Sequence, residues 1–449
     1  MNRLLSFDVS GLNGYINTSV SFDKSLTILY GLNGSGKTSV LRLVADLANG
    51  NIERILSTEF RYAELVGEKR NSNRVRIVAT NADSLFSLFV FDSGEKYCYE
   101  YERNGKRMKG LASPVDDEFE QSGAGRHLKS YRAPIFLNID RTFDGSSAFT
   151  SEDYIEDRYL RELHRAQRRH RFESKFETME RIKKDRGLRV ALELIEEELF
   201  AISRKESQLN ERFRNSVLTE SLKTTSIESF RGDISLRHTD IDELELQKAS
   251  VVKMLKKQDQ EDLLIHAEKL FEGARSLLER ANQLDSHERH DDADALLLLE
   301  IMINKSKLDY LKTISDIAQD YSRRLDESHR KIDQFLTLTN RFFNMIGKEI
   351  ILSGRTIQTN GRGGRTKIEC LSSGERQIII LMSHLIFNKR LSKGAVFMLD
   401  EPELSLHIAW QEILLKTIME ASPSLQVVVA THAPSIIEDM VENCVPING

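Results

Sequence analysis

Short apolar runs separated by turn residues open the chain, in the order of three strands and a helix. The segments LLSFDV, TSVSFD and SLTILYG have the alternating or continuous apolar character of strands, and apolar residues recur at helical spacing from Lys37 to Leu47. Further strands are predicted for RVRIVAT, LFSLFVFD, KYCYEYE and, at 133–140, APIFLNID. We expect the pattern to break at Asn104-Gly105 and at Gly123-Ala124-Gly125.

From about Ser151 to Gly347 the chain is charged, poor in glycine and helical in period. Three series advance by alternating steps of three and four residues, with polar Glu206, Asn304, Ser315 and Ser322 at the skipped positions. Their apolar members are Leu188, Leu192, Ile195, Leu199, Ile202, Leu209 and Phe213; Leu263, Ala267, Leu270, Ala274, Leu277, Ala281 and Leu284; Leu297, Ile301, Leu308, Leu311, Ala318 and Leu325. A 3.5-residue repeat keeps one seam facing a partner helix, so this region is predicted to be coiled-coil-like. A protruding antiparallel hairpin and a folded-back bundle fit equally well, with loops or a tip at 222–240 and 285–292.

Strand patterns return after about Phe343. EIILSGRTIQTN and TKIECL are predicted strands on either side of the turn GRGGR. A helix at 375–388, a strand at 395–399, a helix at 409–420 and the strand VVVAT then alternate as α/β units. One globular domain is therefore predicted in two halves, residues 1–150 and 346–449, with a helical insertion at 151–345 between them.

Composition narrows the functional classes. The 449 residues carry a formal charge of −5, which gives no overall attraction to nucleic acid. The three cysteines lie too far apart for a zinc knuckle or a disulfide framework. No apolar run approaches the roughly 18 residues of a membrane span, and MNRLLSFDVSG lacks the apolar stretch of a signal peptide. We expect a cytoplasmic protein with no membrane partner.

The segment GLNGSGKTS fits the pattern G-x-x-x-x-G-K-[ST] between a strand and a helix. Its glycines let successive backbone N–H groups face a phosphate, and the helix N-terminus adds partial positive charge. Lys37 should reach the β- and γ-phosphates and the Thr38 hydroxyl should bind Mg²⁺, so ATP and Mg²⁺ are the predicted cofactors. The predicted phosphate-binding residues are Gly31, Asn33, Gly34, Ser35, Gly36, Lys37, Thr38 and Ser39.

A second candidate element is AVFMLDEPE, an apolar strand that ends in two acids. Such a strand places both carboxylates at the carboxyl edge of the sheet, where ligands bind in open α/β sheets. Asp400 is predicted to hold Mg²⁺ through its water shell, and Glu401 to orient or deprotonate the attacking water. Taken alone, the segment also fits an acidic turn at a strand end.

The segment LSSGERQ opens the helix predicted at 375–388, with Ser372 or Ser373 as its cap. Together with the two preceding segments and Thr431-His432 after VVVA, it resembles the ABC and SMC-type ATPases in the order and spacing of Walker A, signature, Walker B and switch histidine. The resemblance implies an α/β ABC-type ATPase head with an antiparallel β subdomain, interrupted by a long all-α insertion. It implies catalytic roles for Lys37, Glu401 and His432.

The resemblance also implies a homodimer or higher homo-oligomer that forms through the heads. Ser373, Gly374 and Glu375 of one protomer would then face the γ-phosphate held by Lys37 of the other. The loop ELSLHIAWQ has His407 where transporters carry an acid, which resembles the RecF and OLD-nuclease branch. Gln121 receives no role, and no Q-loop glutamine is identified.

In length and layout the chain resembles the ATPases of the PARIS and Septu antiphage systems. That resemblance implies a sensor and scaffold that controls a separate effector nuclease, with a Toprim-type nuclease favoured on the size of the chain alone. A phage trigger protein would be a further partner. The alternatives are a DNA-repair ATPase of the RecF or SbcC type, for which the basic segment 158–189 suggests nucleic-acid binding, and a platform that holds ATP as a structural ligand.

Overall fold

The computed structural model describes residues 2–69, 72–82, 85–102, 114–131, 134–137, 143–144, 186–224, 240–257, 261–284, 292–354, 356–389, 391, 395–438 and 440–447. The predicted turn at Asn104-Gly105 and residues 158–185 of the basic segment lie outside these ranges. The described chain divides into two compact units, one formed by Met1–Glu197 with Asp333–Gly449 and the other by Glu198–Ile332. None of the described helices has a stretch long and apolar enough to cross a lipid bilayer.

An antiparallel sheet of six strands forms one layer of the first unit. In chain order its strands are β1 (Arg3–Leu12), β2 (Ile16–Ser21), β4 (Tyr62–Glu68), β5 (Arg74–Asn81), β6 (Leu85–Asp92) and β7 (Glu95–Glu102), arranged as β2-β1-β4-β5-β6-β7. Burial alternates along β4, as expected for a sheet with one face on the core. This sheet is the predicted antiparallel β subdomain, although β4 itself was not predicted.

The second large sheet of this unit is mainly parallel. It contains β3 (Leu26–Tyr30), β8 (Ile135–Leu137), β9 (Phe143–Asp144), β13 (Val396–Asp400), β14 (Gln426–Thr431) and β15 (Cys444–Pro446), in the order β15-β3-β14-β13-β8-β9. Only β9 runs antiparallel to its neighbour among the pairs of this sheet. The strands β13 and β14 are buried along their whole length, which explains their continuous apolar sequence.

Helix α1 (Lys37–Asn49) contributes to the core between the two sheets, because its apolar side chains pack with residues from both. It ends at Gly50, which adopts the left-handed conformation typical of a helix C-terminus. Helices α2 (Ile52–Ser57), α3 (Pro114–Gln121) and α4 (Gly123–Ser130) follow along the chain. The chain does break next to Gly123-Ala124-Gly125, as predicted: α3 ends at Gln121, and Ser122 caps α4 by accepting a hydrogen bond from the Gly125 N–H.

The rest of the first unit follows the insertion. Strands β10 (Lys348–Ser353), β11 (Thr356–Gly361) and β12 (Gly364–Thr366) form a small antiparallel sheet, and the helices α9 (Ser373–Phe387), α10 (Ile408–Ala421) and α11 (Pro434–Ile437) come after it. The strand predicted for TKIECL is wrong beyond Thr366, because Ile368–Cys370 forms a turn of 3₁₀-helix. Trp410 is buried against Phe342 and Phe343, so this side chain packs in the core.

The described part of the insertion consists of four long helices: α5 (Arg186–Thr224), α6 (Asp240–Lys257), α7 (Glu261–Leu284) and α8 (Asp292–Met345). In the second unit, side chains from all four meet in one apolar core, with Val251, Phe271 and Leu311 buried and Phe213 packed against them. A core shared by four helices fits the bundle alternative better than a hairpin of two helices.

The apolar seam of α7 contains Ala267 and Ala274, as predicted, but differs from the predicted series at the leucines. Leu263 and Leu270 are exposed, whereas Leu264 and Phe271 pack into the core. Phe271 buries a larger apolar surface than its leucine neighbour, which favours this register. On α8 the predicted series is confirmed at Leu311, Ala318 and Leu325, all of which contribute to the core.

The two ends of the chain are tied together by one buried side chain. Gln426, the first residue of β14, accepts a hydrogen bond from the Leu4 N–H at 2.7 Å. Its amide nitrogen donates to the carbonyl oxygens of Leu4 and Asp23 at 2.8 and 2.7 Å. The prediction of an α/β head with an antiparallel subdomain and a helical insertion is confirmed, and the domain boundaries 1–150, 151–345 and 346–449 stay a prediction.

Candidate active site

The glycine-rich loop between β3 and α1 has a backbone that other residues adopt with difficulty. Gly34 and Gly36 have φ angles of +84° and +92°, in the left-handed region where glycine carries no steric penalty. A Cβ atom on Gly36 would lie 2.3 Å from Ile16 Cδ1. The loop therefore approaches β2 more closely than a side chain would allow, and it leads directly into the N-terminus of α1.

Lys37 is buried, and its ammonium group lies against the loop that precedes it. The Nζ atom donates hydrogen bonds to the carbonyl oxygens of Gly31 and Leu32, each at 2.9 Å. Asn33 and Gly34 lie exposed at the tip of the loop. The loop and its lysine thus form a compact cationic cradle of the kind that binds a phosphate group.

Thr38 and Asp400 meet although 362 positions separate them in the chain. The Thr38 hydroxyl donates to Asp400 Oδ1 at 2.8 Å. The parallel pairing of β3 with β14 and of β14 with β13 aligns their carboxyl ends at one edge of the sheet, which brings these residues together. The sequence elements predicted to share one magnesium ion therefore lie in direct contact.

Asp400 is suited to bind a metal ion because its carboxylate is buried and one of its two oxygens has no hydrogen-bond partner among the described residues. Burial raises the pKa of this carboxyl group, with repulsion from Glu401 and Glu403 in the same direction, while the Thr38 hydrogen bond and the charge of Arg42 oppose the increase. Its second oxygen, Oδ2, is buried without a hydrogen-bond partner among the described residues. A buried carboxylate oxygen without a partner is costly, and a cation or an ordered water would satisfy it.

The donor set fits Mg²⁺, which prefers oxygen ligands and usually retains several waters. The described residues contain no cluster of three or more histidine, cysteine or acidic side chains arranged for a metal. A magnesium ion at Thr38 and Asp400 would therefore take its remaining ligands from phosphate oxygens and water, as is usual where the ion accompanies a nucleotide.

Glu401 has a strained backbone at the end of β13. Its φ angle is +46°, which is uncommon for a residue with a side chain. The conformation is held by a hydrogen bond from the Glu401 N–H to the Ala430 carbonyl oxygen at 2.8 Å. Strain of this kind is concentrated at functional sites, where it fixes the direction of a side chain. The Glu401 carboxylate remains partly exposed.

His432 lies beside two carboxylates just after β14. Its Nδ1 atom is 3.9 Å from Glu401 Oε1 and 3.2 Å from Glu403 Oε1. Glu403 was not predicted as a site residue, although it is buried and its Oε1 also accepts hydrogen bonds from the Thr431 hydroxyl at 2.6 Å and the His432 N–H at 3.0 Å. The third acid in the segment DEPE was the available signal, but the sequence does not show that it faces β14.

The loop that carries Glu403 is held from two helices by amide side chains. Gln377 of α9 donates to the Pro402 carbonyl oxygen at 3.0 Å. Gln411 of α10 donates to the carbonyl oxygens of Glu403 and Leu406 at 3.3 and 3.0 Å. These contacts fix the positions of the acids without neutralising them.

The turn predicted as the signature begins α9 with a complete capping box. Ser372, not Ser373, is the cap: its hydroxyl accepts from the Glu375 N–H at 3.3 Å, and Glu375 Oε2 accepts from the Ser372 N–H at 2.8 Å. The other oxygen of Glu375 accepts from Lys348 at 2.7 Å. Burial alone would raise the pKa of Glu375, but these hydrogen bonds outweigh burial and lower it. Gly374 is needed here because a Cβ would lie 2.5 Å from the Ser405 carbonyl oxygen.

The predicted site residues therefore form two groups: those at the edge of the parallel sheet, and the turn at the start of α9. The glycine loop, Lys37, Thr38 and Asp400 share one edge of the parallel sheet, and Glu401 and His432 lie in contact range of each other at the same edge. Among the described residues, Gly374 lies against Ser405, and Glu375 is hydrogen-bonded to Ser372 and Lys348. None of these partners belongs to the glycine loop. Ser39 accepts a hydrogen bond from Asn13 at 3.0 Å, so the turn after β1 also borders the loop.

Comparison with known proteins gives one family and several distant structures. A family model described as AAA ATPase domain matches residues 4–437. The Smc head domain of Pyrococcus furiosus with an extended coiled coil, bound to the C-terminal domain of ScpA, is 12% identical with a TM-score of 0.36, covering 99% of this chain and 93% of that one. The Pyrococcus yayanosii Smc head with a coiled coil and joint is 16% identical with a TM-score of 0.33, covering 99% of this chain and 95% of that one. The Thermotoga maritima SMC head domain is 12% identical with a TM-score of 0.34, covering 97% of this chain and 91% of that one.

Proposed function

The chain belongs to the AAA ATPase domain family, whose model matches residues 4–437, and from that premise we propose that it binds ATP with Mg²⁺ and hydrolyses it at the edge of the parallel sheet. The observation that carries the proposal is the 2.8 Å hydrogen bond between Thr38 and Asp400. It brings a phosphate-binding loop and a buried acid to one point, which is the arrangement that phosphoryl transfer to water requires.

In this mechanism each residue has a distinct task. The Lys37 ammonium exchanges its two carbonyl partners for phosphate oxygens and offsets their charge. Thr38 and Asp400 hold Mg²⁺, which when bound neutralises charge on the β- and γ-phosphates. Glu401 accepts a proton from the attacking water, and His432 hydrogen-bonds the γ-phosphate or that water.

The proposal extends to pairing of two heads, which is supported by the sequence resemblance and by the partly exposed Ser373 at the start of α9. Ser373 and Gly374 of one protomer then face the γ-phosphate bound by the other, so that ATP joins the heads and hydrolysis separates them. The biological role we propose is the sensor and scaffold subunit of an antiviral defence complex, with an effector nuclease as a separate subunit and a phage protein as trigger. This role rests on the resemblance in length and layout to antiphage ATPases.

The enzymatic part is tested by equilibrium ATP binding and steady-state hydrolysis in three variants. Lys37→Ala should lose ATP binding, whereas Glu401→Gln should bind ATP like the wild type and hydrolyse it at least a hundredfold more slowly. Glu412→Gln, an exposed acid on α10, is the matched control and should behave as wild type. Equal hydrolysis by wild type and Glu401→Gln would reject the assigned base, and equal low rates in both would favour ATP as a structural ligand.

Head pairing is tested in the slowly hydrolysing Glu401→Gln background, where ATP should increase the molar mass measured by light scattering. Adding Ser373→Arg should prevent that increase without weakening ATP binding, and Ser57→Arg, at an exposed position on α2, is the control. An unchanged increase with Ser373→Arg would contradict action of the signature turn in trans. Co-purification of a nuclease subunit supports the defence role, and strong stimulation of hydrolysis by DNA alone would favour the DNA-repair alternative.

A further inference from the structure

Glu403 is the one acid of the segment DEPE that the mechanism above does not use. Its side chain is 5% exposed, as buried as that of Asp400. Two of its neighbours donate to a single oxygen, Oε1: the Thr431 hydroxyl at 2.6 Å and the His432 backbone N–H at 3.0 Å. The other oxygen, Oε2, is buried without a hydrogen-bond partner among the described residues.

A buried carboxylate with two neutral donors is incompletely compensated, because burial of a charge is costly unless an opposite charge is near. Within the described chain, the ion-pairing partner of Glu403 is the imidazole of His432, whose Nδ1 lies 3.2 Å from Oε1. This contact is an ion-pair contact by distance, and Nδ1 has no hydrogen-bond partner among the described residues. The same ring nitrogen lies 3.9 Å from Glu401.

We propose that Glu403 is the positioning residue of His432, and the proposal rests on the ATPase function given above. A carboxylate at Nδ1 favours the tautomer that carries its proton there, as second partners of functional histidines commonly do. The Nε2 atom, on the far side of the ring, then presents either its lone pair or a proton to the reacting groups. Glu403 acts through His432 and does not itself touch the substrate.

The surrounding loop supports a fixed rather than an incidental carboxylate. Gln411 holds the Glu403 carbonyl oxygen, and Gln377 holds that of Pro402, so the backbone on both sides of the acid is restrained. The Thr431 hydroxyl that donates to Glu403 also accepts from the Ala433 N–H at 3.0 Å. The carboxylate is therefore held by both loops that border the site, the one after β13 and the one after β14.

The decisive variant is Glu403→Gln, because a glutamine keeps the shape and the Oε1 acceptor for Thr431 and the His432 N–H while it removes the charge. We expect kcat for ATP hydrolysis to fall at least tenfold, with the dissociation constant for ATP within about threefold of wild type and an unchanged thermal midpoint. Glu412→Gln serves as the control. A kcat equal to that of wild type in a folded Glu403→Gln protein would overturn the proposal.

A second readout does not depend on activity. In ¹⁵N-histidine NMR spectra, the Nδ1 and Nε2 shifts of His432, identified with His432→Gln, should report a proton on Nδ1 in the wild type. Glu403→Gln should reduce that preference, and identical shifts in the two proteins would also overturn the proposal. If hydrolysis is absent but the histidine shifts respond to Glu403→Gln, the proposed function fails while the positioning of His432 stands.

Discussion

Replacing Gln426 by leucine should strongly destabilise the first unit (Met1–Glu197 with Asp333–Gly449), although no site residue is changed. Leucine approximates the length of glutamine but cannot form the three hydrogen bonds that join β14 to Leu4 and to Asp23. Each bond contributes about 1 kcal/mol net, so their loss amounts to about 3 kcal/mol. The true loss should not be smaller, because Leu4 is fully buried and its N–H and C=O groups lose this partner.

Urea unfolding followed by tryptophan fluorescence provides the assay, since the single tryptophan, Trp410, is buried in the first unit. With an m-value of roughly 3 kcal/mol/M, a loss of about 3 kcal/mol lowers the midpoint by about 1 M. Gln121→Leu, at an exposed position that ends α3, is the control and should leave the midpoint unchanged. A Gln426→Leu midpoint equal to that of the control would refute the reasoning that this side chain ties the two ends of the chain together.

Three further outcomes follow from local contacts. Gly36→Ala should weaken ATP binding at least tenfold in calorimetry, because its Cβ would lie 2.3 Å from Ile16 Cδ1; binding equal to wild type would contradict the conformation of the loop. Lys348→Met should lower the free energy of unfolding by about 2 kcal/mol, since the buried Glu375 carboxylate loses its cation, and an unchanged thermal midpoint would contradict this. Hydrogen bonds from neighbouring lysine, tyrosine and histidine side chains overcome the effect of burial and lower the pKa of Asp92. The contribution of the Asp92 carboxylate to folding stability is therefore complete above about pH 4 and is lost as pH falls further. The difference in unfolding free energy between wild type and Asp92→Asn should shrink on acidification, and a constant difference would contradict the pKa shift.

The sequence was most informative where chemistry and local structure coincide. The glycine loop was predictable because positive φ angles at Gly34 and Gly36 demand glycine. The acid pair Asp400-Glu401 was predictable because a fully buried strand has an unmistakable apolar run before it. Both features lie within ten residues of chain, so pattern reasoning reached them.

What escaped prediction depends on contacts distant in sequence or on side-chain size. The partnership of Glu403 with Thr431 and His432 spans 28 and 29 positions, and no periodicity reports it. On α7 the prediction is right at Ala267 and Ala274 but wrong at Leu270, because Leu270 and Phe271 are adjacent and both apolar, so only packing decides which of them is buried.

The central claim is that one nucleotide and one magnesium ion lie between residues brought together from the two ends of the chain. The direct measurement is a high-resolution structure of Glu401→Gln with ATP and Mg²⁺. The account predicts triphosphate density in the glycine loop with Lys37 on it, and a magnesium ion bound by the Thr38 hydroxyl and held by Asp400 directly or through a coordinated water. Nucleotide density at another place, or magnesium remote from Asp400, would contradict the account.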